Sequence, residues 1–249
     1  MVVTAHMLHH DMGVDEAIAD YFANQRPVPQ HNLFWKGKHI YLSAGFGTLT
    51  IPLVYDLQLK MGVDKADLLH DAHVALMEAG FDLLSRYENR FIDLPGFLQA
   101  CKLLLAGKIK QQHLVQDLFS FFSNTSPVYF AFDRNHASLA RSDMFLFTLA
   151  DLNVSDEWVT TFLPYWYAVA RPILIMDDFM DLEEDRLTGE KENIIIELGN
   201  NPEAIYKAFE MGMDDLHRLA TVNEKLAEHI MLRLQQCMNK KYIRAQLPD

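Results

Sequence analysis

Hydrophobic positions recur at helical spacing along almost the whole chain, and short polar or proline-containing stretches separate the recurring blocks. The strongest block covers residues 65–89, where one apolar stripe is formed by Leu69, Ala72, Leu76, Gly80 and Leu83. Other helices are predicted over residues 14–22, 40–59, 97–105, 111–122, 138–150 and 158–184, with a further start at 201 and a last long helix over 216–239. The pattern predicts an all-α fold, a single-domain bundle of about eight to ten helices, with residues 1–30 at its periphery.

The composition narrows the classes of function. The chain has 249 residues, half of them apolar, and a formal net charge of −12. We expect no nucleic-acid partner, because phosphate contacts need clustered Lys and Arg. The sequence has no basic N-terminal region followed by an apolar run, and no uninterrupted apolar run of about 20 residues. We therefore expect a cytoplasmic protein without an integral membrane segment.

The most informative segment is an acidic stretch that follows a long apolar helix. Asp177, Asp181 and Asp185 are spaced i, i+4 and i+8, which places them on one helix face, and Asp178 lies beside them. Like charges at this spacing repel one another unless a cation or solvent compensates. Mg²⁺ takes carboxylate oxygens and bridges to phosphate oxygens. The segment therefore predicts a magnesium site for a ligand with a phosphate head and an apolar tail.

These residues resemble the second aspartate-rich motif of the trans-prenyl diphosphate synthases, which belong to the class I isoprenoid (terpenoid) synthase superfamily. That motif reads Asp-Asp-x-x-Asp, a further Asp four residues on, and then Thr-Gly-Lys. The chain matches it with four aspartates and with Thr188 and Gly189, while Glu190 replaces the lysine and Lys191 follows. The resemblance implies a terpenoid synthase-type bundle, with Asp177, Asp178 and Asp181 as catalytic metal ligands and Asp185 as a further ligand.

Weaker similarities imply contacts to the diphosphate group. The segment around Lys38 resembles the Gly-Lys-Arg segment that holds isopentenyl diphosphate, although His39 and Tyr41 stand where the family has arginines. Arg141 lies where the family has Lys-Thr before a helix. The basic C-terminal segment resembles a tail that closes over the active site in some members. The implied substrate-binding residues are Lys38, Arg141, Lys191 and Arg244.

The first aspartate-rich motif of the family is degenerate in this chain. Near the end of the helix over residues 65–89, only Asp82 stands for a motif aspartate, and Ser85 takes the place of another. Glu78 and Asp82 are spaced i, i+4, and squalene and phytoene synthases use acidic pairs at that spacing. We therefore predict a metal clamp in which Glu78 and Asp82 face Asp177 and Asp181, with an ordinary exposed helix face as the alternative.

Taken as a resemblance, this pattern implies a divergent prenyltransferase or terpene synthase-like enzyme. It implies Mg²⁺-assisted ionisation of an allylic prenyl diphosphate, followed by condensation or cyclisation of the prenyl chain. Because the isopentenyl-binding segment departs from the family, we favour the second outcome slightly. The alternative is a non-catalytic binding or regulatory subunit that kept the bundle. Relatives are often dimers, so a homodimer or a pair with a homologous subunit is also expected.

Overall fold

The computed structural model describes residues 3–29, 37–43, 51–133, 135–189 and 192–247. Its α-helices are α1 Glu16–Asp20, α2 His39–Leu42, α3 Ile51–Lys60, α4 Lys65–Leu68, α5 Asp71–Glu88, α6 Leu94–Leu105, α7 Gln112–Phe122, α8 Ala137–Ala140, α9 Asp156–Thr188, α10 Ile194–Glu197, α11 Pro202–Leu219, α12 Glu224–Met238 and α13 Lys241–Arg244. A 3₁₀ helix covers Arg141–Leu149, and π-helical turns cover Met7–Asp11 and Tyr21–Gln25. No described residue lies in a β-strand, and the prediction of an all-α domain is confirmed. Within the same residues, no helix combines the length and apolar content that crossing a membrane requires.

Side-chain caps set the beginnings of the longer helices. Asp93 accepts a hydrogen bond from the Gly96 N–H, and Ser155 accepts one from the Trp158 N–H. Two caps also correct the predicted boundaries. His70 caps α5, so the block over residues 65–89 is two helices. Asn223 caps α12, so the predicted helix over residues 216–239 is interrupted between α11 and α12.

Helix α9 is the central element of the bundle. It has 33 residues, contains Pro164 and Pro172, and ends at Gly189, whose φ of 74° is favourable for glycine. It packs along α11 and α12 on one side and against the 3₁₀ helix on another. Trp166 and Phe179 are fully buried on this helix. The acidic motif therefore continues from a helix that the core holds rigidly.

The N-terminal segment belongs to the core, in contrast to the predicted peripheral position. Leu8, Ile18 and Phe22 are fully buried, and the Val3 N–H donates to the Leu42 carbonyl oxygen at 2.8 Å. Phe22 also packs edge-on against Tyr55 of α3, with ring centroids 4.8 Å apart. Apolar side chains at helical spacing outweigh the local break at the two prolines, because burying them stabilises the fold.

A close approach between α5 and the 3₁₀ helix positions the walls of the candidate site. A Cβ atom at Gly80 would lie 2.5 Å from the Thr148 Cγ2 atom, so only glycine allows this contact. One residue further along α5, Phe81 meets Phe145 of the 3₁₀ helix. These contacts hold one face of α5 against the 3₁₀ helix.

Candidate functional site

A cavity of about 900 Å³ opens between α5, the 3₁₀ helix and α9. Its closed part is lined by apolar residues, namely Phe81, Leu84, Phe145, Ala170, Ile173 and Leu174. Its open part is lined by acidic residues, namely Glu88, Asp93, Asp177, Asp178, Asp181, Asp185 and Glu192. A cavity of this size and lining suits a ligand with an apolar body and a polar head.

Helices α5 and α9 run in the same direction along this cavity. At the open end, the Glu88 carboxyl interacts electrostatically with Asp177. At the closed end, Phe81 contacts Phe145, and the Phe145 ring in turn stacks on Trp166 of α9. The cavity-lining residues therefore change from apolar to acidic in the same direction along α5 and along α9.

Arg141 lines the cavity and contacts its aspartates. One of its guanidinium nitrogens lies 2.9 Å from an oxygen of Asp178 and 3.7 Å from an oxygen of Asp177. Its other terminal nitrogen donates to the Glu192 carbonyl oxygen at 2.7 Å. Arg141 begins the 3₁₀ helix, so these contacts join that helix to α9 and to the segment that follows α9. The guanidinium offsets part of the negative charge in the cavity.

Asn193 fixes two of the motif aspartates. Its amide nitrogen donates to the Asp178 carbonyl oxygen and to an Asp185 carboxylate oxygen, each at 2.8 Å. The Ile194 N–H donates to the second carboxylate oxygen of Asp178 at 2.7 Å. Asp178 is only 3% exposed, and both of its carboxylate oxygens accept hydrogen bonds from protein donors. Asp178 and Asp185 thus hold the end of α9 in place.

Four carboxyls of the cavity, those of Glu88, Asp177, Asp178 and Asp181, have raised pKa values. Burial raises the pKa of Asp178 to about 7, although Arg141 acts in the opposite direction. Burial raises the pKa of Asp177 to about 6, with neighbouring Asp181 adding to the shift. Glu88 is exposed at the cavity, but the protein around it partly desolvates its carboxyl, and this effect and the charge of Asp177 raise its pKa to about 7. Burial and Asp185 also raise the pKa of Asp181. A cation in the cavity would reverse these shifts.

The described side chains do not form a ready-made metal site. No three His, Cys, Asp or Glu residues among them converge to hold a metal ion. Asp177 and Asp181 line the cavity, and their carboxylate oxygens receive no hydrogen bond from the described residues. Mg²⁺ usually keeps several waters and binds through one or two carboxylates plus substrate phosphates. Asp181, and Asp177 with its long 3.7 Å contact to Arg141, therefore fit a metal that arrives with a phosphate ligand.

The structure does not bring Glu78 and Asp82 to the cavity, where the predicted clamp requires them. Glu78 is buried and makes two hydrogen bonds with the Arg26 guanidinium, at 2.8 and 3.0 Å, and one with the Tyr41 hydroxyl. Asp82 pairs with Arg86 one turn along α5, at 2.7 Å. Both acids lie on α5, but neither of them lines the cavity.

The four predicted substrate-binding cations differ in their surroundings, and one of them lies outside the described residues. Arg141 lines the cavity. The Lys38 ammonium donates to the carbonyl oxygens of Phe22, at 3.0 Å, and of Arg26. Arg244 is bound to the side chain of Asn239 near the C-terminus and does not line the cavity. Lys191 lies outside the described residues.

The acidic residue on α5 that does face Asp177 is Glu88, which the sequence reasoning missed. A signal was present, because Phe81, Ser85 and Glu88 are spaced i, i+4 and i+7 and line the cavity together. Ser85 takes the place of a motif aspartate, and Glu88 lies about one turn further along the same face of the helix.

The comparisons with known proteins returned no match for this chain among protein-family models, curated proteins or solved structures.

Proposed function

We propose that the protein is a divergent isoprenoid synthase-type enzyme that acts on an allylic prenyl diphosphate with Mg²⁺. The observation that carries the proposal is the cavity itself, with apolar walls at its closed end and the aspartate stripe of α9 at its open end. A prenyl chain suits the first part, and a metal-bound diphosphate suits the second. Magnesium bound there would supply Lewis-acid stabilisation of the departing diphosphate.

Each wall has a separate task in this proposal. Asp177 and Asp181 hold the metal from α9, and Glu88 faces them from α5. Arg141 stands beside Asp177, where its guanidinium is placed to attract diphosphate oxygens. Phe81 and Phe145 keep water away from the reacting end of the prenyl chain.

A reaction of a single prenyl diphosphate is favoured over condensation with isopentenyl diphosphate. The lysine that would hold a second diphosphate, Lys38, already donates to two backbone carbonyl oxygens. The neighbouring Arg26 is held by Glu78. Both cations therefore have structural partners, and this supports cyclisation or another single-substrate outcome.

A second candidate function is a non-catalytic binding or regulatory subunit with the same bundle. The observation in its favour is that Arg141 pairs with Asp177 and Asp178, so part of the acidic wall is neutralised without a metal. The absence of Glu78 and Asp82 from the cavity lining points the same way. A homodimer, or a pair with a homologous subunit, stays a prediction in both cases.

The deciding experiment measures diphosphate release and organic product from geranyl, farnesyl and geranylgeranyl diphosphates with Mg²⁺, with and without isopentenyl diphosphate. Turnover is expected, and Asp177→Asn should reduce it on the order of a hundredfold, because a ligand of the metal that stabilises the departing charge is weakened. Glu183→Gln is the matched control, since Glu183 is exposed on the same helix but does not line the cavity. No turnover from folded protein with any substrate would favour the non-catalytic subunit.

A further inference from the structure

A pair of histidines lies on the surface of the N-terminal segment, at the first π-helical turn. His6 is the N-cap of the turn Met7–Asp11, and His10 lies within it. The two imidazole rings are in contact, with centroids 4.2 Å apart and an interplanar angle of 45°. Both side chains are exposed. Their i, i+4 spacing puts them on one face of a helix, so both rings are available to one ion.

The backbone that carries this pair is anchored in the bundle. Leu8, between the two histidines, is fully buried, and Met12 after the turn is 6% exposed. The Leu8 N–H donates to the Thr4 carbonyl oxygen at 3.0 Å. The Asn223 side chain of α12 donates to the Met12 carbonyl oxygen at 3.1 Å. Because the backbone is already held, bringing the two imidazoles together on an ion costs little additional conformational entropy.

A third histidine restricts the orientation of the pair. The His9 Nδ1 atom lies 2.9 Å from the Val14 carbonyl oxygen, and because a carbonyl oxygen only accepts, this nitrogen carries a proton. The His9 ring meets the His10 ring edge to face, with centroids 4.7 Å apart. His10 therefore contacts two imidazole rings. His9 is a positioning residue, since no three His, Cys, Asp or Glu among the described residues converge on one ion.

The surroundings of His10 keep its neutral, metal-binding form available. Partial desolvation and then the neighbouring His6 and His9 lower the pKa of His10 below its ordinary value. Lys225 of α12 also lowers this pKa, and Asp11 raises it. Neutral imidazole is a ligand for Zn²⁺, Cu²⁺ and Ni²⁺, whereas Mg²⁺ and Ca²⁺ prefer oxygen ligands. The pair therefore suits a different class of ion from the aspartates of the cavity.

We propose that His6 and His10 form a binding site for a divalent transition-metal cation of the Zn²⁺ class, separate from the acidic cavity. Neither histidine lines that cavity. Two protein ligands leave the other coordination positions to water, whereas a closed structural zinc site has four protein ligands. The site is therefore open and exchangeable, and its occupancy follows the free concentration of the metal. The inference does not depend on the proposed enzyme activity.

The test is a calorimetric titration of the full chain, purified without a histidine tag, with Zn²⁺ and with Ni²⁺ at about pH 7.5. Excess Mg²⁺ suppresses weak binding to carboxylates. Binding of either ion is expected, and His6→Gln and His10→Gln should each weaken it at least about tenfold, because even losing an outer partner of a ligand costs about that much. His217→Gln is the matched control, since His217 is exposed on α11 and has no histidine four residues before or after it.

Two further readouts identify the ligands without relying on variants. Paramagnetic Ni²⁺ should broaden the imidazole NMR signals of His6 and His10 before those of histidines outside residues 6–10. Lowering the pH to about 5.5 should weaken Zn²⁺ binding at least about tenfold, because protons compete with the metal for both imidazoles.

Three results would overturn the inference. No binding of either ion at about 0.1 mM would mean that the two imidazoles do not act together. Unchanged affinity in both His6→Gln and His10→Gln would assign the bound metal to other ligands. An equal loss in His217→Gln would show that the metal binds exposed imidazoles in general. By contrast, Zn²⁺ binding at the pair without turnover of prenyl diphosphates would preserve this inference while the proposed enzyme activity fails.

Discussion

Glu78 and Glu88 lie on the same helix, ten residues apart, and have opposite surroundings. Glu78 is buried, and an arginine and a tyrosine donate hydrogen bonds to its carboxylate. Glu88 looks into an open cavity, receives no hydrogen bond from the described residues, and has its pKa raised to about 7. One carboxylate is satisfied by the fold, and the other is available to a ligand.

The difference teaches which acidic residues of this chain can do chemistry. A buried carboxylate that is fully paired is held in one geometry, and the ionised form is already stabilised by its partners. A carboxylate that is partly desolvated beside like charges is destabilised when ionised, and a cation or a proton relieves it. Glu78 and Glu88 are the same residue type on the same helix, so they differ only in the hydrogen-bond and ion-pair partners that surround them.

The largest expected effect on the free energy of unfolding comes from substituting Glu78, whose carboxylate is paired within the fold. Glu78→Gln removes the buried charge partner of Arg26 and leaves the guanidinium with the exposed Asp71, in a site where the Arg26 and Glu78 side chains are at most 14% exposed. Losing one partner of such a pair should lower the free energy of unfolding by about 3 kcal/mol. Urea denaturation at pH 7 measures this. The double variant Arg26→Met with Glu78→Met should recover much of the loss, and a loss below about 1 kcal/mol in Glu78→Gln would show that the pair is dispensable.

A smaller effect is expected at Arg141, which pairs with the buried Asp178 but also lines the open cavity. Arg141→Gln removes the charge partner of Asp178, which is 3% exposed, but the Ile194 N–H still binds the second carboxylate oxygen. We expect a loss of about 2 kcal/mol in the free energy of unfolding, because one buried charge becomes unpaired.

The pairing is tested by adding Asp178→Asn to Arg141→Gln, which should cost less than the sum of the two single changes. Arg186→Gln is a matched control on α9, since Arg186 binds the side chain of Asn200 at the surface and makes no ion pair with a described residue. Additive losses from Arg141→Gln and Asp178→Asn would show that the two residues act independently.

The sequence predicted what depends on local pattern and missed what depends on contacts between distant segments. The all-α class and the aspartate face of α9 followed from spacing, because an amphipathic helix carries its own period. Which face of α5 packs on the 3₁₀ helix did not follow, since it depends on contacts such as the close approach of Gly80 to Thr148, 68 residues away. The partner of Glu78 is Arg26, 52 residues away, and its ion pair was invisible in the sequence. The ring contact between Phe81 and Phe145 likewise joins segments that are distant in the sequence.

The smallest expected effect on the free energy of unfolding is at Glu88, and it depends on pH. The pKa of Glu88 rises from 4.5 to about 7 in the folded protein, so the unfolded chain releases this proton at lower pH than the native state does. The residue therefore lowers stability progressively between about pH 4.5 and 7. Because its side chain is solvent-exposed, solvent screening limits the effect, and Glu88→Gln should raise the free energy of unfolding by at most about 1 kcal/mol at pH 8.

At pH 4.5 the same Glu88→Gln substitution should change stability by less than about 0.5 kcal/mol, because the carboxyl is protonated in the native state and only half ionised in the unfolded chain. Urea denaturation at both pH values gives the difference, and Glu183→Gln on the exposed face of α9 serves as the control. An equal gain at both pH values would mean that Gln improves packing and that the Glu88 charge is not destabilising. A gain confined to high pH would mark Glu88 as a carboxylate that folding alone leaves uncompensated, in contrast to Glu78.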